Sequence, residues 1–348
     1  MSPLPDGPLP ALHRKMSRIT SSSLSPEPSH TILTQAAEWY ARLRDGKASR
    51  HDYASWQTWL DAAEEHRTAW RYVEEISRGM DPLRHIADPR RAANALNAAN
   101  ASLHARRRVL ASIAALVGGG MLGWLGWREA RLPSSLLAWT ADHHTSTGEQ
   151  RALTLADGSR LWLNTASAIN LDFNARERRI TLLAGETFIE TAPDSARPFL
   201  VETMHGRLRA LGTRFNVRLN AANTRLDVYD GAVEIRTSSN GITRLVAAGQ
   251  QSFFDTGHIT SPKPADMARE AWIQGTLVAD NIALREVVDE LRRYRPGHLG
   301  VADAVANLKV YGNFPIQDTD RALHMLASAL PIQIQQPLPW WTTLEALP

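Results

Sequence analysis

The stretch Val109–Trp127, VLASIAALVGGGMLGWLGW, holds no charged residue and stands between Arg106-Arg107-Arg108 and Arg128. As a helix it would run about 28 Å, close to the hydrocarbon thickness of a bilayer. A soluble helix keeps a polar face and this one has none. The pattern therefore predicts one transmembrane helix over 109–127. Its glycines, Gly118, Gly119, Gly120, Gly123 and Gly126, make the span weakly apolar and weakly helical. Gly119 and Gly123 also form a G-x-x-x-G pair, which lets two spans approach closely.

The flanks predict orientation. Arg90, Arg91 and Arg106–Arg108 lie upstream; only Arg128 and Arg131 lie at similar reach downstream. Positive charge stays in the cytoplasm, so the N-terminus is expected inside and the C-terminus outside. A span this far from the start is an anchor, not a cleaved signal peptide. Arg106-Arg107-Arg108-Val109-Leu110 also fits the twin-arginine translocation pattern. Met16 offers a second start of translation.

The chain has 348 residues, a net charge of +3, eleven tryptophans and no cysteine. The charge is too small and too scattered to argue for direct nucleic-acid binding. Without cysteine there are no disulfides, iron–sulfur clusters, thiol nucleophiles or cysteine-ligated zinc. A domain outside the membrane must be held by its own core.

Either side of the span the periodicity differs. Residues 1–30 are Pro/Ser-rich and are expected to be disordered. Residues 31–80 read as three short helices. Ala36, Ala37, Trp39, Tyr40 and Leu43 recur at helical spacing; Ser49 caps a second helix with Tyr53, Trp56, Trp59 and Leu60; a third runs through His66, Ala69, Trp70, Val73 and Ile76. Such a bundle has a marginal core and excess aromatic surface, as a partner-binding module would. Residues 81–108 form a linker.

Beyond the span, residues 140–256 alternate apolar and polar. Pairs such as Leu161/Leu163, Ile180/Leu182, Val217/Leu219 and Val233/Ile235 are punctuated by Asp157-Gly158, Asp230-Gly231 and Asn240-Gly241. About a dozen short strands predict an all-β domain, sandwich-like or a solenoid-like wound stack, with the even spacing favouring the stack. Residues 268–348 mix both periods and predict a β-α-β-β-α-β module: a strand at Thr276–Val278, a helix Ala283–Tyr294, strands at Leu299–Val301 and Leu308–Phe314, a helix capped by Asp318, and a hairpin through Ile332–Ile334 and Trp340–Leu344. The fold class is thus multidomain: a small all-α bundle, a span, an all-β domain and an α+β module.

Chemistry is sparse. No H-x-x-x-H, H-E-x-x-H, calcium loop, P-loop, Rossmann or G-x-S-x-G motif occurs, so no metal, cofactor or external enzymatic activity is expected. His143-His144 are adjacent on a strand and point to opposite faces. Gly212-Thr213, before the strand Arg214–Val217, is the one pair able to react with itself, since a hydroxyl can attack the preceding carbonyl. From the residues alone the structural account is the stronger one, with glycine serving a bulge or turn and threonine a strand.

Several motifs together resemble the FecR family of transmembrane sigma-factor regulators, over nearly the whole chain from Thr31. In the bundle these are Ala37-Glu38-Trp39, Leu43, Gly46, Trp56…Trp59-Leu60 and His66-Arg67-Thr68-Ala69-Trp70, with Glu65 where the family has proline. In the β domain they are Asp157-Gly158-Ser159, Leu161…Leu163-Asn164, Gly185-Glu186, Leu211–Val217 and Gly231-Ala232-Val233-Glu234. At the end they are Trp272…Gly275, Leu291-Arg292-Arg293-Tyr294 and Gly312-Asn313-Phe314. The resemblance implies a relay. The bundle would bind an extracytoplasmic-function sigma factor through Trp39, Trp56, Trp59, Leu60, His66 and Trp70. The C-terminal module, similar to the short domains of secretins and TonB-linked receptors, would receive the periplasmic signalling domain of a TonB-dependent outer-membrane transporter for a ferric siderophore. Some members cleave themselves at a Gly-Thr that maps onto Gly212-Thr213, and periplasmic and intramembrane proteases then act. A rival reading is an envelope-anchored glycan binder, which needs an aromatic platform; Trp162 is the only tryptophan well inside the β domain.

Overall fold

The structure, a computed structural model, describes residues 28–44, 48–84 and 141–348. The expected span, Arg106–Arg108 and residues 1–27 lie outside them, as do residues 85–108 of the expected linker; His30 already belongs to a helix, and the third helix runs on to Arg84. Among the described residues no helix is long and apolar enough to cross a membrane.

Three helices form the N-terminal bundle: α1 (His30–Arg44), α2 (Arg50–Ala62) and α3 (Glu64–Arg84). The start of α2 is fixed by a capping box. The Asp52 amide donates to Ser49 Oγ at 3.1 Å and the Ser49 amide donates to Asp52 Oδ2 at 2.8 Å. Extended Ala63 separates α2 from α3. The buried core is thin and made of small residues, Ala36, Ala37, Ala69 and Val73, so the aromatic side chains pack around it rather than within it.

The β domain contains β1 (His143–His144), β2 (Arg151–Thr154), β3 (Arg160–Leu163), β4 (Ala168–Phe173), β5 (Arg178–Glu190), β6 (Phe199–Thr203), β7 (Gly206–Ala210), β8 (Arg214–Leu219), β9 (Thr224–Asp230), β10 (Ala232–Thr237), β11 (Thr243–Ala247), β12 (Gln250–Phe254) and β13 (Lys263–Pro264). They lie in two sheets that share β5. Its first half pairs with β4 and β6; its second half pairs with β3 and β8. The change of sheet falls at Gly185, whose φ is +79° and where an added Cβ would stand 2.2 Å from Ser167 Oγ. Inward residues of both sheets, among them Ile180, Val201, Leu208 and Ile235 from one and Leu161, Ile189, Phe215 and Val228 from the other, form a single core.

This settles between the two all-β architectures that periodicity allowed. The domain is a sandwich of mainly antiparallel strands, and it is wound by hairpins rather than by single strands. Hairpin β6–β7 lies in the first sheet, β8–β9 in the second, β10–β11 in the first, and β12 returns to the second. Asn240-Gly241 turns a hairpin, whereas Asp230-Gly231 carries the chain from one sheet to the other. A dipeptide reports that the chain turns, not which strand it turns toward.

The C-terminal module follows a 3-10 helix (Met267–Gln274). It comprises β14 (Thr276–Ala283), α4 (Leu284–Arg292), β15 (His298–Val301), β16 (Lys309–Pro315), α5 (Thr319–Ala329), β17 (Ile332–Leu338) and β18 (Trp341–Ala346). Strand β14 pairs with β16, and β18 lies between β15 and β17. Asp318 caps α5 through the Arg321 amide at 3.0 Å. Leu284, Val287, Val288 and Leu291 bury one face of α4. That helix ends at Arg292, earlier than its apolar spacing suggests, and the two residues released, Arg293 and Tyr294, reach the β domain. The module covers the outer face of the second sheet, where Phe188, Tyr229 and Trp162 join its core. Trp162 therefore meets Phe188 edge-on at 5.6 Å instead of forming an exposed platform.

The bundle also lies against the module. Trp340 and Trp341 pack with Ala36, Ala37, Ile32 and Tyr40, and His30 Nε2 is 3.0 Å from Glu345 Oε1. A bilayer between residues 84 and 141 excludes this contact, so it and the topology expected from the flanking arginines cannot hold in one chain at once.

Candidate functional site

Two places in the β domain gather the residues singled out by motif. The first is the turn Leu211–Thr213, where the chain crosses from β7 in one sheet to β8 in the other. Gly212 is exposed and left-handed, with φ +75°. Thr213 is buried to 4% exposure, and its Oγ1 has no hydrogen-bond partner among the described residues. The second sheet crossing, at Gly231, lies directly against it. A Cβ on Gly231 would stand 2.3 Å from the Gly212 carbonyl oxygen and 2.8 Å from Thr213 Cγ2. Only glycine lets these crossovers touch.

Thr213 is held from the end of β5. Its amide donates to Thr191 Oγ1 at 2.9 Å, and its carbonyl accepts from the Thr191 amide at 3.1 Å and from Thr191 Oγ1 at 3.3 Å. Thr191 belongs to no motif and was missed by the sequence reading. Pairing across strands 22 residues apart leaves no local mark.

The second place is a buried junction between β domain and module. Glu186, on β5, accepts from Asn164 Nδ2 at 2.8 Å, from Asn216 Nδ2 at 2.8 Å and from the Arg293 guanidinium at 2.6 Å. Asn164 also donates to the Tyr294 hydroxyl at 2.8 Å, and Arg218 pairs with Glu290 at 2.9 Å. Burial alone pushes the Glu186 carboxyl up, but Arg293, Arg218 and the Asn216 hydrogen bond outweigh it and hold the group at about 2. Burial pushes the Tyr294 and Tyr229 hydroxyls up instead. A cavity of about 280 Å³ adjoins the junction, lined by Arg218, Arg225, Arg269 and Trp272 among others. Each of those arginines is already paired, with Glu290, Asp227 and Asp266 respectively. The cavity therefore reads as part of the joint, not as an anion site. Among the described residues no cluster of ligating side chains suits a metal ion.

In the bundle, Trp39, Trp56, Trp59, Leu60, His66 and Trp70 are all half-buried. Trp56 and Trp70 pack with ring centroids 4.9 Å apart, and Trp59 stacks on His66 at 4.5 Å. Trp59 Nε1 donates to Gln35 at 2.9 Å and Trp70 Nε1 to Glu74 at 3.0 Å. Trp39 lies under the Arg42 guanidinium, 4.9 Å from its ring centroid.

Residues 141–234 match the family model described as FecR protein, and residues 34–76 match that of a domain of unknown function, DUF4880. The chain thus carries a FecR domain behind a DUF4880 domain, as the motif resemblance implied. Two crystal structures of a candidate anti-sigma factor from Parabacteroides distasonis, at 1.65 and 2.50 Å, are also similar. Each is 21% identical with a TM-score of 0.49, and they cover 58% and 59% of this chain and 97% of their own. No curated protein matches the chain.

Proposed function

We propose that the chain is an inner-membrane regulator that binds an extracytoplasmic-function sigma factor with its N-terminal bundle. Its C-terminal module receives a periplasmic signal, from the signalling domain of a TonB-dependent transporter for a ferric siderophore. The observation that carries this reading is the bundle itself. A core of alanines and one valine leaves four tryptophans half-covered, which is a surface for capturing an apolar helix face. The paired DUF4880 and FecR matches support the same assignment. The glycan-binding rival is weakened because Trp162 is covered by the module.

The test is co-purification of the full chain with the purified extracytoplasmic-function sigma factors of its host. One sigma factor should bind, and Trp39→Ala should weaken it by about tenfold or more without changing the helical signal. If none of them binds the wild-type chain, the regulator reading falls.

Cleavage at Gly212–Thr213 belongs to the same proposal. Thr213 Oγ1 adds to the Gly212 carbonyl carbon, the Gly212–Thr213 C–N bond breaks, and the nitrogen gains the proton that the hydroxyl gave up. Water then hydrolyses the ester to a Gly212 carboxylate and a free Thr213 hydroxyl. An orphaned, buried hydroxyl beside an open glycine supports this reading. Periplasmic and intramembrane proteases would act on the membrane-bound piece. Wild-type protein should yield two fragments split at residue 213 on a denaturing gel, and Thr213→Ala one intact chain of unchanged thermal stability; a cleaved alanine variant overturns the mechanism.

A further inference from the structure

We infer that Thr191 takes part in this cleavage, holding the scissile unit and protonating its leaving nitrogen; the inference rests on the self-cleavage reading above. Three observations carry it. Thr191 Oγ1 is 2.9 Å from the Thr213 amide nitrogen, the atom that departs when the peptide bond breaks. The Thr191 amide and hydroxyl both donate to the Thr213 carbonyl, so residue 213 is clamped at both backbone polar groups by one residue. On the other side, Gly231 leaves the Gly212 carbonyl room that any side chain would take. The scissile peptide is thus held through the Thr213 backbone and left uncrowded at the Gly212 carbonyl. The Thr213 hydroxyl, without a hydrogen-bond partner among the described residues, remains free to turn toward the carbon.

In the ground state the Thr213 N–H donates to Thr191 Oγ1. As Thr213 Oγ1 adds to the Gly212 carbon, the nitrogen loses its conjugation and becomes a basic amine. The Thr191 hydroxyl, already within hydrogen-bond distance, swings its hydrogen from the Thr213 carbonyl to that nitrogen. Water returns a proton to Thr191 and carries off the one released by Thr213. One proton has then moved from oxygen to nitrogen, one C–O bond has formed and one C–N bond has broken.

The test compares Thr191→Val and Thr191→Ser in the full chain, following cleavage after synthesis on a denaturing gel. Valine keeps the β-branched shape and removes the hydroxyl; serine keeps the hydroxyl and removes a methyl. If Thr191 acts through its hydroxyl, valine should slow cleavage about a hundredfold, while serine should stay within a few-fold of wild type. If Thr191 only packs, the order reverses, with valine like wild type and serine slower, and the inference is overturned. Thr213→Ala run alongside separates the two readings. If that variant is intact and Thr191→Val cleaves normally, only the role of Thr191 fails; if wild type is never cut, both fail. Thermal unfolding of each variant shows whether slow cleavage reflects an unfolded β domain. Should valine unfold it, Thr191→Ser decides, since near-wild-type cleavage supports the hydroxyl and loss of cleavage in a folded serine variant refutes it.

Discussion

Single residues in the β domain hold charge where water cannot reach, and this gives the domain a defined response to acid. Glu186 has a folded pKa of about 2, below its ordinary 4.5. A carboxyl depressed on folding contributes stability that is complete above the unfolded pKa and is lost as pH falls through the folded one. Chemical denaturation of the full chain should therefore show stability falling between pH 4.5 and 2, with a shallower slope in Glu186→Gln, in which the neutral amide keeps the shape but drops the titration. A second buried pair tests the same physics away from the junction. Arg178 meets Asp157 at 2.8 Å with both side chains under 5% exposed. Arg178→Met would leave the carboxylate uncompensated and should cost about 3–5 kcal/mol in a denaturant melt, whereas exposed Arg67, paired with Asp61 and Glu64, should cost under about 1 kcal/mol when replaced by methionine.

At the scale of elements, what one stretch of chain decides by itself was legible in advance. Ser49, and Asp318 before α5, announce helix starts because a cap is a contact within three residues; that Asp52 closes a capping box with Ser49 is what the structure adds. Ser49→Ala should loosen α2 by about 1 kcal/mol, read as roughly fivefold faster amide exchange over Arg50–Ala62 with α5 unchanged. Alternation along β5 to β12 was legible for the same reason, since each strand shows its own inward face. Register and partner choice were not. Arg293 meets Glu186 across 107 residues, and no periodicity marks that meeting. The residues were flagged as motif members, Gly185-Glu186 in one domain and Arg293-Tyr294 in the other, without any sign that they touch. The early end of α4 is the local event that makes contact possible: residues 293 and 294 leave the helix, and the guanidinium then completes a carboxylate that two asparagines alone could not neutralise. Thr191 carried less signal still, being one threonine among many at a strand end.

In the whole molecule the bundle's exposed aromatics determine what it will seek. Its alanine core cannot cover Tyr40, Tyr72 and the tryptophans, so they must find apolar surface elsewhere. In the isolated chain that surface is Trp340 and Trp341, with Tyr40 edge-on to Trp340 at 5.8 Å and Tyr72 edge-on to Trp341 at 6.1 Å. Under the topology read from the arginines, a bilayer separates these groups and a cytoplasmic partner must supply the cover. The absence of cysteine makes the two arrangements easy to tell apart, because every introduced thiol is unique. Glu38 and Tyr311 are both exposed, one on the bundle and one on the module. With the bundle inside, an impermeant maleimide applied to intact spheroplasts should label Tyr311→Cys at once and Glu38→Cys only after lysis, and a Tyr40→Cys/Trp340→Cys pair should not crosslink. If the bundle instead rests on the module in the cell, both single cysteines will label from outside and the pair will join. That result would place the bundle on the same side of the membrane as the module and leave it no access to a sigma factor.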